Sequence, residues 1–131
     1  MLDQFLEAAT ARTFRDGEWD CQLFPAEWVR LVTGVDPAKE WRGRYSTALG
    51  RERILKREGG PLAVMTRGAE SARLKRTTEP VRGDVGLIRL SGRDYGAVCL
   101  GDRWALVTRR GLAAERPDEV IRAWEVAWRS S

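Results

Sequence analysis

The feature that most constrains this chain is a change of hydrophobic period near Gly83. Before it, apolar residues recur at three- and four-residue intervals; after it, they fall in short runs separated by glycine-containing turns. The first pattern lays apolar side chains along one face of a helix, and the second suits strands. Helices followed by strands predict an α+β fold, with N-terminal helices packed on a small antiparallel β-sheet. At 131 residues the chain reads as a single domain, 1–131, large enough to bury a core without disulfides or a structural metal.

Leu2, Phe5, Leu6 and Ala9 define a first helix over Leu2 to Arg12. Asp16-Gly17 makes a turn flanked by Phe14 and Trp19. A second helix follows from Asp20, its apolar face carried by Leu23, Phe24, Trp28, Leu31 and Val32. Asp20 is placed to cap it and Gly34 to end it in the left-handed conformation. Pro25 leaves two readings: a distorted first turn, or a regular helix that begins at Pro25. Either puts Cys21 at the helix mouth. Val35-Asp36-Pro37 breaks the chain, and residues 38 to 45 form a loop carrying Trp41 and Tyr45.

Ser46 is expected to cap a third helix through about Arg57, ended by Gly59-Gly60. Pro61 opens a shorter helical stretch to Met65 or beyond, weakened by Gly68, and residues 69 to 80 read as loop or frayed helix. Three strands are predicted at Asp84 to Leu90, Tyr95 to Leu100 and Trp104 to Thr108, joined by tight turns into a meander. Asp118 to Ala123 reads as one or two helical turns after Pro117. Trp124 to Trp128 reads as a closing strand or as further helix.

Composition narrows the function. The net charge is +4, from 23 basic and 19 acidic residues, and the excess is spread along the chain without interleaved aromatics. That spacing argues against a nucleic-acid platform and suits acidic protein partners or anionic cell-wall polymers. No apolar run approaches the roughly 18 residues of a membrane span. The N-terminus lacks a signal-peptide pattern, so synthesis in the cytoplasm is expected. Two cysteines and no histidine or CxxC pair leave no zinc-ligand spacing, and no cofactor is expected.

Cys21 carries the sharpest chemical signal. At a helix N-terminus the backbone dipole favours a thiolate, and nucleophilic cysteines are found in such places. The competing reading is a small buried residue at a helix–sheet contact. Cys99, in the middle of a strand, reads as core. Asp20 reads as a helix cap and Asp84 as the residue that serves a turn.

Asp20-Cys21 at a helix start, Gly83-Asp84-Val85 opening a meander, and Tyr95 to Gly101 on the next strand resemble the NlpC/P60 cysteine peptidases of the papain-like class. The chain more closely resembles a subgroup of small phage and prophage proteins of unassigned function. The shared features are Trp19-Asp20-Cys21, Thr33-Gly34-Val35-Asp36-Pro37, Arg42-Gly43-Arg44-Tyr45, Gly111-Leu112 and a late tryptophan. This resemblance implies a degenerate NlpC/P60-like, papain-like fold, with Cys21 at the nucleophile position and Tyr95 at the position of the family's histidine. A tyrosine with a pKa near 10 is a poor base at neutral pH. Cys–His hydrolysis within the chain is excluded, because the chain has no histidine.

The resemblance therefore implies a structural or adaptor part of a phage or prophage tail tip, made in the bacterial cytoplasm and incorporated into the virion tail. Its partners would be hub, tail-tip or tail-tube proteins. Trp41, Arg42, Arg44 and Tyr45 combine tryptophan and arginine as interface hot spots do, and are the expected partner-binding residues. The alternative is a peptidoglycan amidase or endopeptidase in which Cys21 works with Tyr95 or with a histidine lent by a partner.

Overall fold

The computed structural model describes residues 1–126. Four helices come first: α1 (Leu2–Thr10), α2 (Leu23–Thr33), α3 (Ala48–Arg57) and α4 (Pro61–Ser71). Six strands follow: β1 (Arg76–Thr77), β2 (Val85–Leu90), β3 (Arg93–Cys99), β4 (Trp104–Thr108), β5 (Gly111–Glu115) and β6 (Glu119–Trp124). They form one antiparallel sheet in the order β1-β6-β2-β3-β4-β5. The fold is α+β, with the helices preceding the sheet. Among the described residues no helix is long and apolar enough to cross a membrane.

The predicted second helix is present in its regular part from Leu23. Gly34 closes it with φ 80, its N–H donating to the Arg30 carbonyl. Pro25 follows the first helical bond, from the Phe24 N–H to the Asp20 carbonyl at 2.9 Å, and cannot supply the next one to the Cys21 carbonyl. The cap of α3 is Thr47, one residue beyond Ser46; its hydroxyl accepts from the Gly50 N–H at 3.0 Å. Helix α4 runs through Gly68 to Ser71. A Cβ at Gly68 would lie 2.8 Å from the Pro37 carbonyl oxygen, so glycine here lets the chain after α2 press against α4.

Residues 118 to 123 depart from expectation. They belong to β6, which fills the slot between β1 and β2, with Val85 opposite Trp124 and Arg89 opposite Glu119. The helical pattern after Pro117 is overridden because two neighbouring strands supply partners for the β6 backbone. The expected closing strand over Trp124 to Trp128 meets β6 only at Trp124, where β6 ends; Glu125 and Val126 lie in no strand, and Ala127 and Trp128 lie outside the described residues. Strand β5, which extends the meander beyond β4, was not anticipated by the alternating pattern.

The sheet has two apolar faces. One packs Val85, Val98, Val107 and Trp124 against Trp19, Phe24, Trp28 and Val29 of the helical layer. The other gathers Ile88, Ala97, Cys99, Trp104 and Leu106. A Cβ at Gly86 would lie 3.0 Å from the Trp104 ring, so this ring reaches from β4 to β2. Trp19, Trp28 and Trp104 are all buried, as is Cys99.

Candidate site at the mouth of α2

Asp20 is fully buried and accepts four hydrogen bonds. Its Oδ1 takes the N–H groups of Gln22 (2.9 Å) and Leu23 (3.0 Å), which caps α2. Its Oδ2 takes the Gly17 N–H at 2.9 Å and the Tyr45 hydroxyl at 2.6 Å. One carboxylate thus joins the turn before the helix, the helix itself and the loop after it. A buried carboxylate is tolerated when its lone pairs are filled in this way.

Cys21 follows on the turn leading into α2 and is half-buried. Burial pushes its thiol up to about 11, and the neighbouring Asp20 and Asp16 carboxylates add to that. Arg51 acts in the opposite direction without reversing it. The thiol is therefore neutral at pH 7, and the expected depression by the helix dipole is overcome. Tyr45 is held above its ordinary value, first by burial and then by Asp20, so it keeps its proton as well. Arg51 donates from Nη1 to Asp16 Oδ1 and stands in the field of Cys21, Asp20 and Tyr45.

Helix α2 lies directly on β3 at this point. A Cβ at Gly96 would come within 2.6 Å of the Cys21 carbonyl oxygen and 3.0 Å of Pro25 Cγ. The strand residue facing the cysteine turn is thus Gly96, and its neighbour Tyr95 points to the other face. There Tyr95 packs with the cluster of Ile88, Ala97 and Trp104. Cys21 and Tyr95 are therefore separated by the sheet, because successive side chains on a strand point to opposite faces. The hydroxyl that does reach the α2 mouth belongs to Tyr45. The Arg-Gly-Arg-Tyr sequence marked this loop, but nothing local linked its tyrosine to Asp20.

The other loop residues have internal engagements. Arg42 makes a two-pronged bond to Asp36 (Nε–Oδ2 and Nη2–Oδ1, both 2.9 Å) and a third contact to Glu27 Oε1 at 2.6 Å. The Asp36 carboxyl is held below its usual range: burial opposes this, and hydrogen bonds from Arg42 and the Ala38 N–H outweigh it. Trp41 is half-buried on Leu23, Ala26 and Ala38, with Arg67 6.0 Å from its ring centre. Arg44 is exposed. Of the four residues expected to meet a partner, Arg42 and Tyr45 hold the loop together, Trp41 offers part of its ring, and Arg44 is open to solvent.

Asp84 plays a matching part at the sheet. It is fully buried, accepting from the Val81 N–H at 2.9 Å and the Val126 N–H at 3.3 Å. The Trp28 indole donates to the Gly83 carbonyl at 2.8 Å, which pins α2 to the entrance of β2. Beside the α2 mouth, a mainly apolar cavity of about 60 Å³ runs among Leu23, Ala26, Trp41, Ile54 and Val64, with Gln22, Tyr45 and Arg51 also on its walls. Among the described residues no group of three or more metal-ligating side chains occurs.

No curated protein and no solved structure matches the chain. Residues 1–126 match the model of the family described as Domain of unknown function (DUF6950), and on that match the chain belongs to this family.

Proposed function

We propose that this chain is a non-catalytic structural or adaptor component of a phage or prophage tail tip, built on a degenerate NlpC/P60-like frame. The observation that carries the non-catalytic half is the state of Cys21: burial raises its thiol to about 11, and its aspartate neighbour is occupied by four hydrogen bonds. A thiol that is neutral at pH 7, with no imidazole in the chain, is not an activated nucleophile. The tail-tip half rests on the motifs shared with phage proteins. Trp19-Asp20-Cys21, Asp36-Pro37 and Arg42 to Tyr45 converge here on one structural knot around α2. Its outward residues Trp41 and Arg44 are the contact points for a hub or tail-tube protein.

The alternative, a peptidoglycan amidase or endopeptidase, draws on Arg51, whose charge favours the Cys21 thiolate. A partner that drew Asp16 away from Arg51 would strengthen that effect and could lend a histidine.

The test is iodoacetamide alkylation of Cys21 against pH in a Cys99→Ser background, with and without particle proteins. Slow labelling below about pH 9, together with particles that assemble with Cys21→Ala and fail with Trp41→Ala, is the expected result. Fast labelling near neutrality, with release of peptidoglycan fragments lost in Cys21→Ala, would replace the adaptor with the hydrolase.

A further inference from the structure

We propose that the cavity between the C-terminal end of α1 and the β4–β5 turn binds the phosphate group of a small phosphorylated molecule. The cavity measures about 310 Å³. Arg12, Thr13 and Phe14 contribute from one side, Arg109, Arg110 and Gly111 from the other, and no aspartate or glutamate lines it. None of the three arginines belongs to an ion pair among the described residues.

Two of these cations are placed by aromatic rings. The Arg12 guanidinium sits 3.9 Å from the centre of the Trp19 ring, and that of Arg109 5.6 Å from the centre of the Phe14 ring. A ring attracts the cation without accepting its N–H groups as a carboxylate would, so those donors remain for a ligand. Arg12 also follows the last turn of α1, where the helix dipole favours a positive charge.

Three arginines lining one concavity match a tetrahedral dianion with several oxygens better than a carboxylate, which one arginine fork satisfies. The volume lies at the lower end of the roughly 300–1,000 Å³ of small-molecule sites, room for a phosphorylated sugar or a mononucleotide. A nucleic-acid strand would need a charged groove with open aromatic faces for its bases. Here the two rings are met by arginines. The cavity lies in a different part of the molecule from the α2 mouth, and its ligand is independent of the adaptor reading.

The experiment is a titration of the full chain with glycerol 3-phosphate, adenosine monophosphate and a short single-stranded oligonucleotide, followed by backbone amide chemical shifts. Saturable shifts centred on residues 10–14 and 108–112 are expected with both small phosphates. Equal affinities identify the phosphate as the recognised group, and tighter binding of the nucleotide adds its base or ribose. Arg110→Gln should weaken binding about ten-fold, the loss of one charge-assisted contact. It leaves the fold intact, because the bond from its backbone N–H to Thr108 Oγ1 does not involve the replaced side chain. The proposal is overturned if shifts scatter equally over Arg53, Arg93 and Arg103. It also fails if Arg109→Gln and Arg110→Gln bind as the parent does, or if neither small phosphate saturates. Much tighter oligonucleotide binding, with shifts running across the sheet, would overturn it in favour of a nucleic-acid surface.

Discussion

Around the mouth of α2, Arg42 and Arg51 are folded onto carboxylates, whereas at the end of α1 Arg12, Arg109 and Arg110 are left without any. In the first region charge is consumed locally. Asp36 and Glu27 neutralise Arg42, and Asp16 meets Arg51, so the groups serve to fix loops against α2. In the second region the cations are placed by aromatic rings and stay available to an external anion. The difference teaches that an arginine's role is read from its partners: a side chain already bonded inside the fold contributes shape, and an unpaired one contributes affinity.

Removing the carboxylate at the centre of the first region should have the largest effect. Asp20→Ala takes away the α2 cap and leaves the Tyr45 hydroxyl and the Gly17 N–H without their acceptor. Losing a cap and stranding a buried donor predicts a loss of about 3–4 kcal/mol in urea unfolding. A loss below about 1 kcal/mol would show that the four bonds are replaceable by water.

Alkaline pH should come next. The Cys21 thiol is raised in the folded state, so the unfolded chain releases this proton first. The thiol's contribution is complete below about pH 8.5 and is lost as pH rises towards 11. Its size is on the order of 3 kcal/mol. Urea unfolding of the parent and of Cys21→Ser, from neutral to alkaline pH, checks this: the difference between their stabilities should shrink over that window. A constant difference would place Cys21 in an environment like that of the unfolded chain.

Arg42→Ala should cost about 1–2 kcal/mol, because Asp36 and Glu27 are less than a quarter exposed and lose a shared cation. Arg42→Lys should recover only part of this, since an ammonium does not reproduce the two-pronged bond. Arg110→Gln should change stability by less than about 0.5 kcal/mol, as its guanidinium has no ion-pair partner to lose. A thermal or urea shift as large as that of Arg42→Ala would erase the contrast between the two regions.

Sequence reading succeeded where a local signal coincided with the tertiary environment. The Asp20 cap, the Gly34 terminus and β4 over Trp104 to Thr108 were legible because capping chemistry, a left-handed glycine and an apolar strand run each speak for themselves. Strand β5, with Leu112-Ala113-Ala114, has little β-branched character and exists because β4 offers it a register. For β6, Pro117 imitated a helix start, while the open slot between β1 and β2 decided the outcome. At the site, Cys21, Asp20 and the Arg42 to Tyr45 loop were found. The bond between Tyr45 and Asp20, however, spans 25 positions and leaves no periodic trace. The resemblance sets Tyr95 at the histidine position, but strand parity turns it to the far face, with Gly96 against Cys21.

The position of β6 has a consequence for synthesis. It comes last of the described strands in sequence yet sits between β1 and β2, and the Val126 N–H beyond it closes on Asp84. A nascent chain that has emerged only as far as Glu115 carries the whole β2 to β5 meander with the flank of β2 unpaired. Such a flank is a template for another chain. Until residues 119 to 126 dock, that flank is open to a strand of another chain, so β6 is the element that closes the sheet against self-association.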